Sequence, residues 1–260
     1  MQEEKKPLIL VTNDDGIEAK GLKTLISAVK PLGKIIVVAP AEPQSGMSHA
    51  ITVKVPLRIH KITDEPDLTV YKCYGTPVDC VKMAFNNLLP QKPALLVSGI
   101  NHGSNASTSV FYSGTMAAVL EGCINDIPSI GFSLLNFDHD ADFTVSGKYA
   151  AKIASLVLEN GLPESVCLNV NIPDLNQEST KGIMVCRQNK GFWREEFDKR
   201  TDPAGKHYYW LTGYFHNTEP EATDTDEWAL FNGYVSVVPL HTDLTSYSAL
   251  QTIKNWNFGI

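Results

Sequence analysis

No apolar run in this 260-residue sequence approaches the ~18 residues that a membrane-spanning helix requires. The opening residues, MQEEKKP, are charged and lead straight into a strand-like segment, without the apolar stretch and small-residue cleavage site of a secretory leader. The expectation is a cytoplasmic protein with no membrane partner. Cysteine is sparse: Cys73, Cys80, Cys123, Cys167 and Cys186 are odd in number and never spaced C-x-x-C, which argues against a disulfide framework or a zinc knuckle. Basic clusters are missing too. Nothing larger than Lys5-Lys6 occurs and the formal net charge is -7, so there is no electrostatic footprint for a nucleic-acid duplex. A phosphorylated ligand would have to find its positive field in a metal ion or in backbone amides.

Several catalytic patterns are absent as well. Neither GxxxxGK[ST] nor GxGxxG occurs, which removes the usual support for NTPase and dinucleotide chemistry. The seven histidines show no H-x-x-x-H spacing, and Asp138-His139-Asp140 reads as an exposed turn. GMSHA (46–50) resembles a nucleophile elbow, but that motif needs a helix after the serine, and strand-like ITVKV follows instead.

What is present is an alternation. Strand-like LILVTN (8–13), KIIVVAP (34–40), ITVKVPLRI (51–59), TVYKCYG (69–75), ALLVSGIN (94–101), PSIGFSL (128–134) and VCLNVNIP (166–173) are interleaved with helical patterns at about 19–29, 77–89, 114–124 and 144–159. Such alternation predicts βαβ units and a mainly parallel sheet. The near-continuous apolar character of LILV, IIVV and ALLV fits strands covered on both faces, and ligands of such sheets bind at the carboxyl ends of the strands. The core is expected over about 8–173 and 233–247. Residues 174–232 are polar and aromatic and predict an excursion containing a hairpin whose second strand is HYYWLTGYF, and a C-terminal arm follows over 243–260.

At the end of the first strand stand Asn13, Asp14, Asp15 and Gly16. Adjacent strand residues point to opposite faces, but a glycine turn lets both carboxylates converge on one hard cation. Alternatively, Asp15 caps the next helix and Asp14 is solvated. Ser45 and Gly46 lie just beyond a second strand, and Asn101 and Asn105 beyond a third; all three polar side chains are oxygen donors, and all are also ordinary turn residues. Ser113-Gly114-Thr115 opens a helix, where unpaired amides and hydroxyls can cradle a phosphate or where Ser113 can simply be an N-cap.

These blocks together resemble the SurE survival-protein family of metal-dependent acid phosphatases and 5'-nucleotidases. The resemblance is carried in order by NDDG (13–16), APAEPQSG (39–46), GTPVDC (75–80), VSGIN (97–101) followed by GSN, YSGT (112–115) with AAVLEG, and GYVSVVPL before DLT (243–245), spanning residues 8 to about 247. It implies a three-layer Rossmann-like α/β fold with a projecting β-hairpin and a C-terminal arm, both exchanged between subunits of a homodimer or homotetramer. It implies one divalent metal ion per subunit, Mg or Mn, held by Asp14, Asp15, Ser45 and Asn101, with Asn105, Ser113 and Thr115 near the phosphate. The implied catalytic set is Asp14, Asp15, Asn101, Asn105, Ser113 and Thr115, and the substrate site adds Gly46 and Gly114. The implied reaction is hydrolysis of nucleoside 5'-monophosphates by in-line water, with covalent attack by one Asp as the mechanistic alternative and short polyphosphate as a further substrate. His102 departs from the small residue common at that place in the family, and either approaches the substrate or fills the loop. The competing class is a non-catalytic Mg-dependent nucleotide-binding or receiver-like module, which needs a phospho-accepting Asp on a central strand; LLVSGIN offers Ser98 and Asn101 instead.

Overall fold

The structure is a computed structural model that describes residues 6–176 and 178–258. In chain order its elements are β1 (Leu8–Thr12), α1 (Lys20–Val29), β2 (Lys34–Pro40), β3 (Ile59–Glu65), β4 (Leu68–Cys73), α2 (Pro77–Met83), β5 (Leu95–His102), α3 (Gly114–Ile124), β6 (Ser129–Leu134), α4 (Thr144–Asn160), β7 (Val166–Ile172), β8 (Ile183–Val185), β9 (Gly191–Thr201), β10 (His207–Asn217), α5 (Asp226–Phe231), β11 (Val235–His241) and α6 (Tyr247–Lys254). Nine strands form one sheet in the order β3-β4-β2-β1-β5-β6-β7-β11-β8. From β4 to β7 every neighbour is parallel, while β3 and β11 run antiparallel to β4 and β7. Among the described residues no helix is long and apolar enough to cross a membrane.

The apolar runs of the sequence owe their continuity to two separate cores. In β1, Ile9 and Val11 pack with Leu22, Leu25 and Val29 of α1 and with Ile153 and Val157 of α4 on one face. Leu8 and Leu10 point the other way, towards Val81 of α2 and Met116 and Val119 of α3. A strand covered on both sides cannot alternate apolar with polar, so its sequence reads as one hydrophobic block. The chain winds outward from β1 in both directions, to β2 on one side and to β5 on the other. That reversal opens a crevice at the carboxyl ends of β1 and β5.

Three departures from the expected elements have identifiable causes. Residues 51–58 do not form a strand: Val53 and Val55 stay exposed, and β3 begins only at Ile59. The segment is tied instead to the start of α2, where the Thr52 N–H donates to Asp79 Oδ1 (3.0 Å) and the Thr76 hydroxyl donates to the Ala50 carbonyl (2.8 Å). The helix expected over 77–89 leaves α-geometry after Met83 and closes with a π-type turn over Ala84–Leu88. Within the 174–232 segment, Ile183–Val185 joins the main sheet beside β11, α5 packs against β11, and only the β9–β10 hairpin forms a sheet of its own. The C-terminal arm carries α6, none of whose residues is buried; Gly259 and Ile260 of the expected arm lie outside the described residues.

The GTPVDC block also acquires a role. Thr76 and Asp79 form a reciprocal capping box at the start of α2, in which Asp79 accepts from the Thr76 N–H (2.9 Å) while also holding Thr52. Asp79 is buried, so Asp79→Ala would strand two backbone donors. The expected cost is about 2–4 kcal/mol in chemical denaturation, with Asp79→Asn, which keeps one acceptor oxygen, losing less.

Candidate active site

The crevice at the ends of β1, β2 and β5 is a cleft of about 440 Å³ whose lining includes Asp14, Ser45, Gly46, Asn101, His102, Asn105 and Ser113. Six of the nine residues nominated from sequence therefore share one cavity, although they come from four separate segments. The other three, Asp15, Gly114 and Thr115, stand immediately behind it.

Asp14 is the pivot. It is almost fully buried, its carbonyl accepts from the Gln44 N–H (2.7 Å), and its Oδ1 accepts a short hydrogen bond from the Thr115 hydroxyl. Its carboxylate lies against the first residue of α3: a Cβ on Gly114 would come within 2.8 Å of Asp14 Cβ and 3.0 Å of Oδ2. Any larger residue at 114 would push the carboxylate away. Thr115, expected near the phosphate, has its hydroxyl bonded to Asp14 and its side chain fully buried. Asp15 Oδ2 accepts from the His102 N–H (3.3 Å). Burial, followed by the neighbouring Asp15 charge, raises the Asp14 carboxyl from 3.8 to about 6 against the opposing hydrogen bond from Thr115. Burial likewise raises Asp15, partly offset by the His102 amide.

The remaining positions are set by the framework. The pairing of β5 with β6 shifts register between Ser98 and Asn101, with one extra residue on β5. Asn101 Nδ2 donates to the Gly103 carbonyl (3.0 Å) and to Asn105 Oδ1 (3.5 Å), so its amide oxygen is the atom left for a ligand. Ser113 is an N-cap, accepting from the Met116 N–H (3.0 Å), and it also lines the cleft. The Ser45 loop is exposed but tethered: the Ser48 hydroxyl donates to the Phe111 carbonyl (2.6 Å), and His49 Nε2 lies 3.2 Å from the buried Glu121. His102 packs its ring edge-on against Phe143, with centroids 4.8 Å apart, and burial lowers its pKa.

Other supporting residues escaped the sequence reading. Asn105 is held by its own N–H donating to Asn171 Oδ1 (2.8 Å), by its Nδ2 donating to Ser133 Oγ (2.7 Å), and by Asn169 Nδ2 donating to its carbonyl (2.8 Å). The signal was available: Asn169 and Asn171 alternate within an apolar strand and must share one face. Asp226, fully buried, accepts from the N–H groups of Ser107 (2.7 Å) and Asn189 (2.8 Å), joining the loop after β5 to the hairpin base. Nothing in its local sequence marks it beyond a helix start. Trp193 and Glu195 of β9 and Leu211 to Gly213 of β10 complete the cleft wall.

The donor chemistry fits a hard divalent cation. Among the described residues no three His, Cys, Asp or Glu side chains gather for a metal, so the two carboxylates would need neutral oxygen donors, which Ser45 and Asn101 can supply. No Lys or Arg lines the cleft, although Asp14 stands in its lining with Asp15 next to it in sequence. That shortage of positive charge is what a cation and the amides at the start of α3 would make good.

Two outcomes follow. A folded-state pKa above the unfolded value means that ionised Asp14 opposes folding. Its contribution is most favourable below about pH 4 and is lost as pH rises through about 6. In metal-free protein Asp14→Asn should therefore raise stability at pH 8 by up to about 3 kcal/mol, and the gain should vanish near pH 4 in thermal melts. Gly114→Ala should leave α3 helical by circular dichroism yet weaken Mn²⁺ binding at least about tenfold by calorimetry, because the new methyl displaces the Asp14 carboxylate.

Comparison with known proteins agrees with this geometry. Residues 9–195 match the family described as Survival protein SurE. The chain is 56% identical over 255 residues to a protein named 5'-nucleotidase SurE from Flavobacterium psychrophilum, covering 98% of this chain and 99% of that one. It is 52% identical to the protein of the same name from Phocaeicola vulgatus, with coverage of 98% and 99%. A crystal structure of the SurE protein from Aquifex aeolicus superposes with a TM-score of 0.83 at 42% identity, covering 95% of this chain and 98% of that chain. With the family profile, near-full-length relatives and the three-dimensional architecture in agreement, this chain belongs to the SurE survival-protein family.

Proposed function

We propose that this protein is a divalent-metal-dependent 5'-nucleotidase that hydrolyses nucleoside 5'-monophosphates to nucleoside and phosphate. Relatives covering nearly the whole chain bear that name. The observation that carries the reading to this chain's own residues is the placement of the buried Asp14 carboxylate against the start of α3, with half-buried Asp15 next to it in sequence, at a cleft without a cationic side chain.

A phosphate monoester dianion must enter a site that is already negative, and its transition state spreads charge over the equatorial oxygens. When bound to Asp14, Asp15, Ser45 and Asn101, one Mg or Mn ion per subunit supplies the counter-charge and the Lewis-acid polarisation of a phosphoryl oxygen. The chain's own residues do the rest. The Ser113 hydroxyl at the start of α3 faces the remaining phosphoryl oxygens, where the helix dipole favours anions. Asn105, fixed on three sides by Ser133, Asn169 and Asn171, offers a side chain that cannot swing away as charge develops. Asp14 is the carboxylate that lines the cleft, and it takes the proton from the water that attacks in line; the Thr115 bond holds it for that task.

Exposed apolar side chains on the hairpin face away from the cleft (Tyr208, Trp210, Tyr214) and on the arm (Leu244, Tyr247, Trp256) support a homodimer or homotetramer. All five cysteines are free thiols, which supports a cytoplasmic location.

The test is phosphate release from a panel of nucleoside 5'-monophosphates and p-nitrophenyl phosphate with Mg²⁺ or Mn²⁺. Activity should disappear with chelator, return on adding metal back, and fall at least about a thousandfold in Asp14→Asn. Wild-type protein that releases no phosphate with either metal would refute the proposal.

A further inference from the structure

The cleft has two chemically different ends. At one stand the carboxylate, amide and hydroxyl groups described above; at the other stands one face of the β9–β10 hairpin. In the hairpin register Trp193 lies opposite Phe215, Glu195 opposite Gly213 and Phe197 opposite Leu211, so these side chains share a face. Trp193 is fixed on two sides. Its indole Nε1–H donates to Ser109 Oγ (3.2 Å), in the short turn that leads to Ser113, and its ring meets Phe215 edge-on with centroids 6.2 Å apart. Opposite Glu195 stands Gly213, and that glycine is required, because its φ is +144° and a Cβ would come within 2.3 Å of the Arg194 carbonyl oxygen. Glu195 itself makes no side-chain hydrogen bond or ion pair among the described residues, and it and Asp14 are the only carboxylates lining the cleft.

We propose that this hairpin face is the leaving-group subsite, with Trp193 as the stacking platform for the base and Glu195 as the residue that selects against a second phosphate. The inference rests on the phosphatase reading and deepens it. With the phosphate at the start of α3, the alcohol half of the ester extends toward the hairpin, and a cleft of about 440 Å³ has room for a nucleoside there. An aromatic base gains contact on the indole face, as bases do on exposed aromatic side chains. The Glu195 carboxylate accepts only, so it suits the hydroxyl or N–H donors of an uncharged nucleoside and repels a further phosphoryl group. Monophosphates therefore suit the cleft at both ends. A nucleoside 3',5'-bisphosphate places a second anion against Glu195.

The experiment compares kcat/KM for AMP, glycerol 2-phosphate and adenosine 3',5'-bisphosphate in wild type, Trp193→Ala, Trp193→Phe and Glu195→Gln. Trp193→Ala should lower kcat/KM for AMP about tenfold or more while leaving glycerol 2-phosphate within about twofold, and Trp193→Phe should restore most of the loss. Glu195→Gln should raise the bisphosphate-to-AMP ratio at least about fivefold. Saturation-transfer NMR with adenosine, which has no phosphate, reads the subsite without catalysis: contact with wild type should weaken in Trp193→Ala. Equal losses for AMP and glycerol 2-phosphate, an unchanged bisphosphate ratio, or undiminished adenosine contact in Trp193→Ala would overturn the proposal. A wild type that contacts adenosine but hydrolyses none of the esters would refute the phosphatase reading and leave the subsite standing.

Discussion

The repulsion between two neighbouring carboxylates at the end of β1 governs the architecture around it. Asp14 is buried beside Asp15 with no cationic side chain in the cleft, and the resulting penalty appears as a carboxyl pKa of about 6. The fold tolerates this arrangement because a hydroxyl from Thr115 and the bare backbone of Gly114 bring the start of α3 against the carboxylate. The same contact sets the start of that helix, with Ser113, beside the cleft. The burial that destabilises the ionised carboxylate thus also brings the helix start to the candidate site.

A second regularity concerns the loops. Three segments at the candidate site are pinned by a buried side chain accepting backbone N–H groups. Asp79 holds the segment after the Ser45 loop, Asn171 holds Asn105, and Asp226 holds Ser107 in the turn before α3. Such acceptors are costly to bury alone and stabilising when satisfied, so each fixes its loop in one conformation. The groups that meet the substrate therefore sit on loops, while their positions are set by the rigid sheet and helix starts beneath them.

Much of this was legible in the amino-acid order. The two-sided burial of the parallel strands was written into LILV, IIVV and ALLV, and NDDG, VSGIN and YSGT identified the strand ends and helix start that converge. Other features resisted. ITVKV has the composition of a strand, yet the capping box of α2 holds its start as an irregular segment. Ile183–Val185 lies inside a polar stretch and joins the sheet only because β11 presents an open edge. Asp226 acts across 119 residues of sequence separation on Ser107, a partnership that no local pattern encodes.

Local chemistry in the sequence determined the α/β architecture, the oxygen-donor character of the candidate metal site and the family to which the chain belongs, because periodicity, turn residues and helix-start signals act over a few neighbouring positions. Only the tertiary structure decided that Thr115 bonds Asp14, that Asn169 and Asn171 lock Asn105, and that Trp193 and Glu195 form the far wall of the cleft. Those roles depend on distances between segments far apart in the chain, which are set by how the sheet twists, where its strand order reverses and which loops its buried acceptors hold.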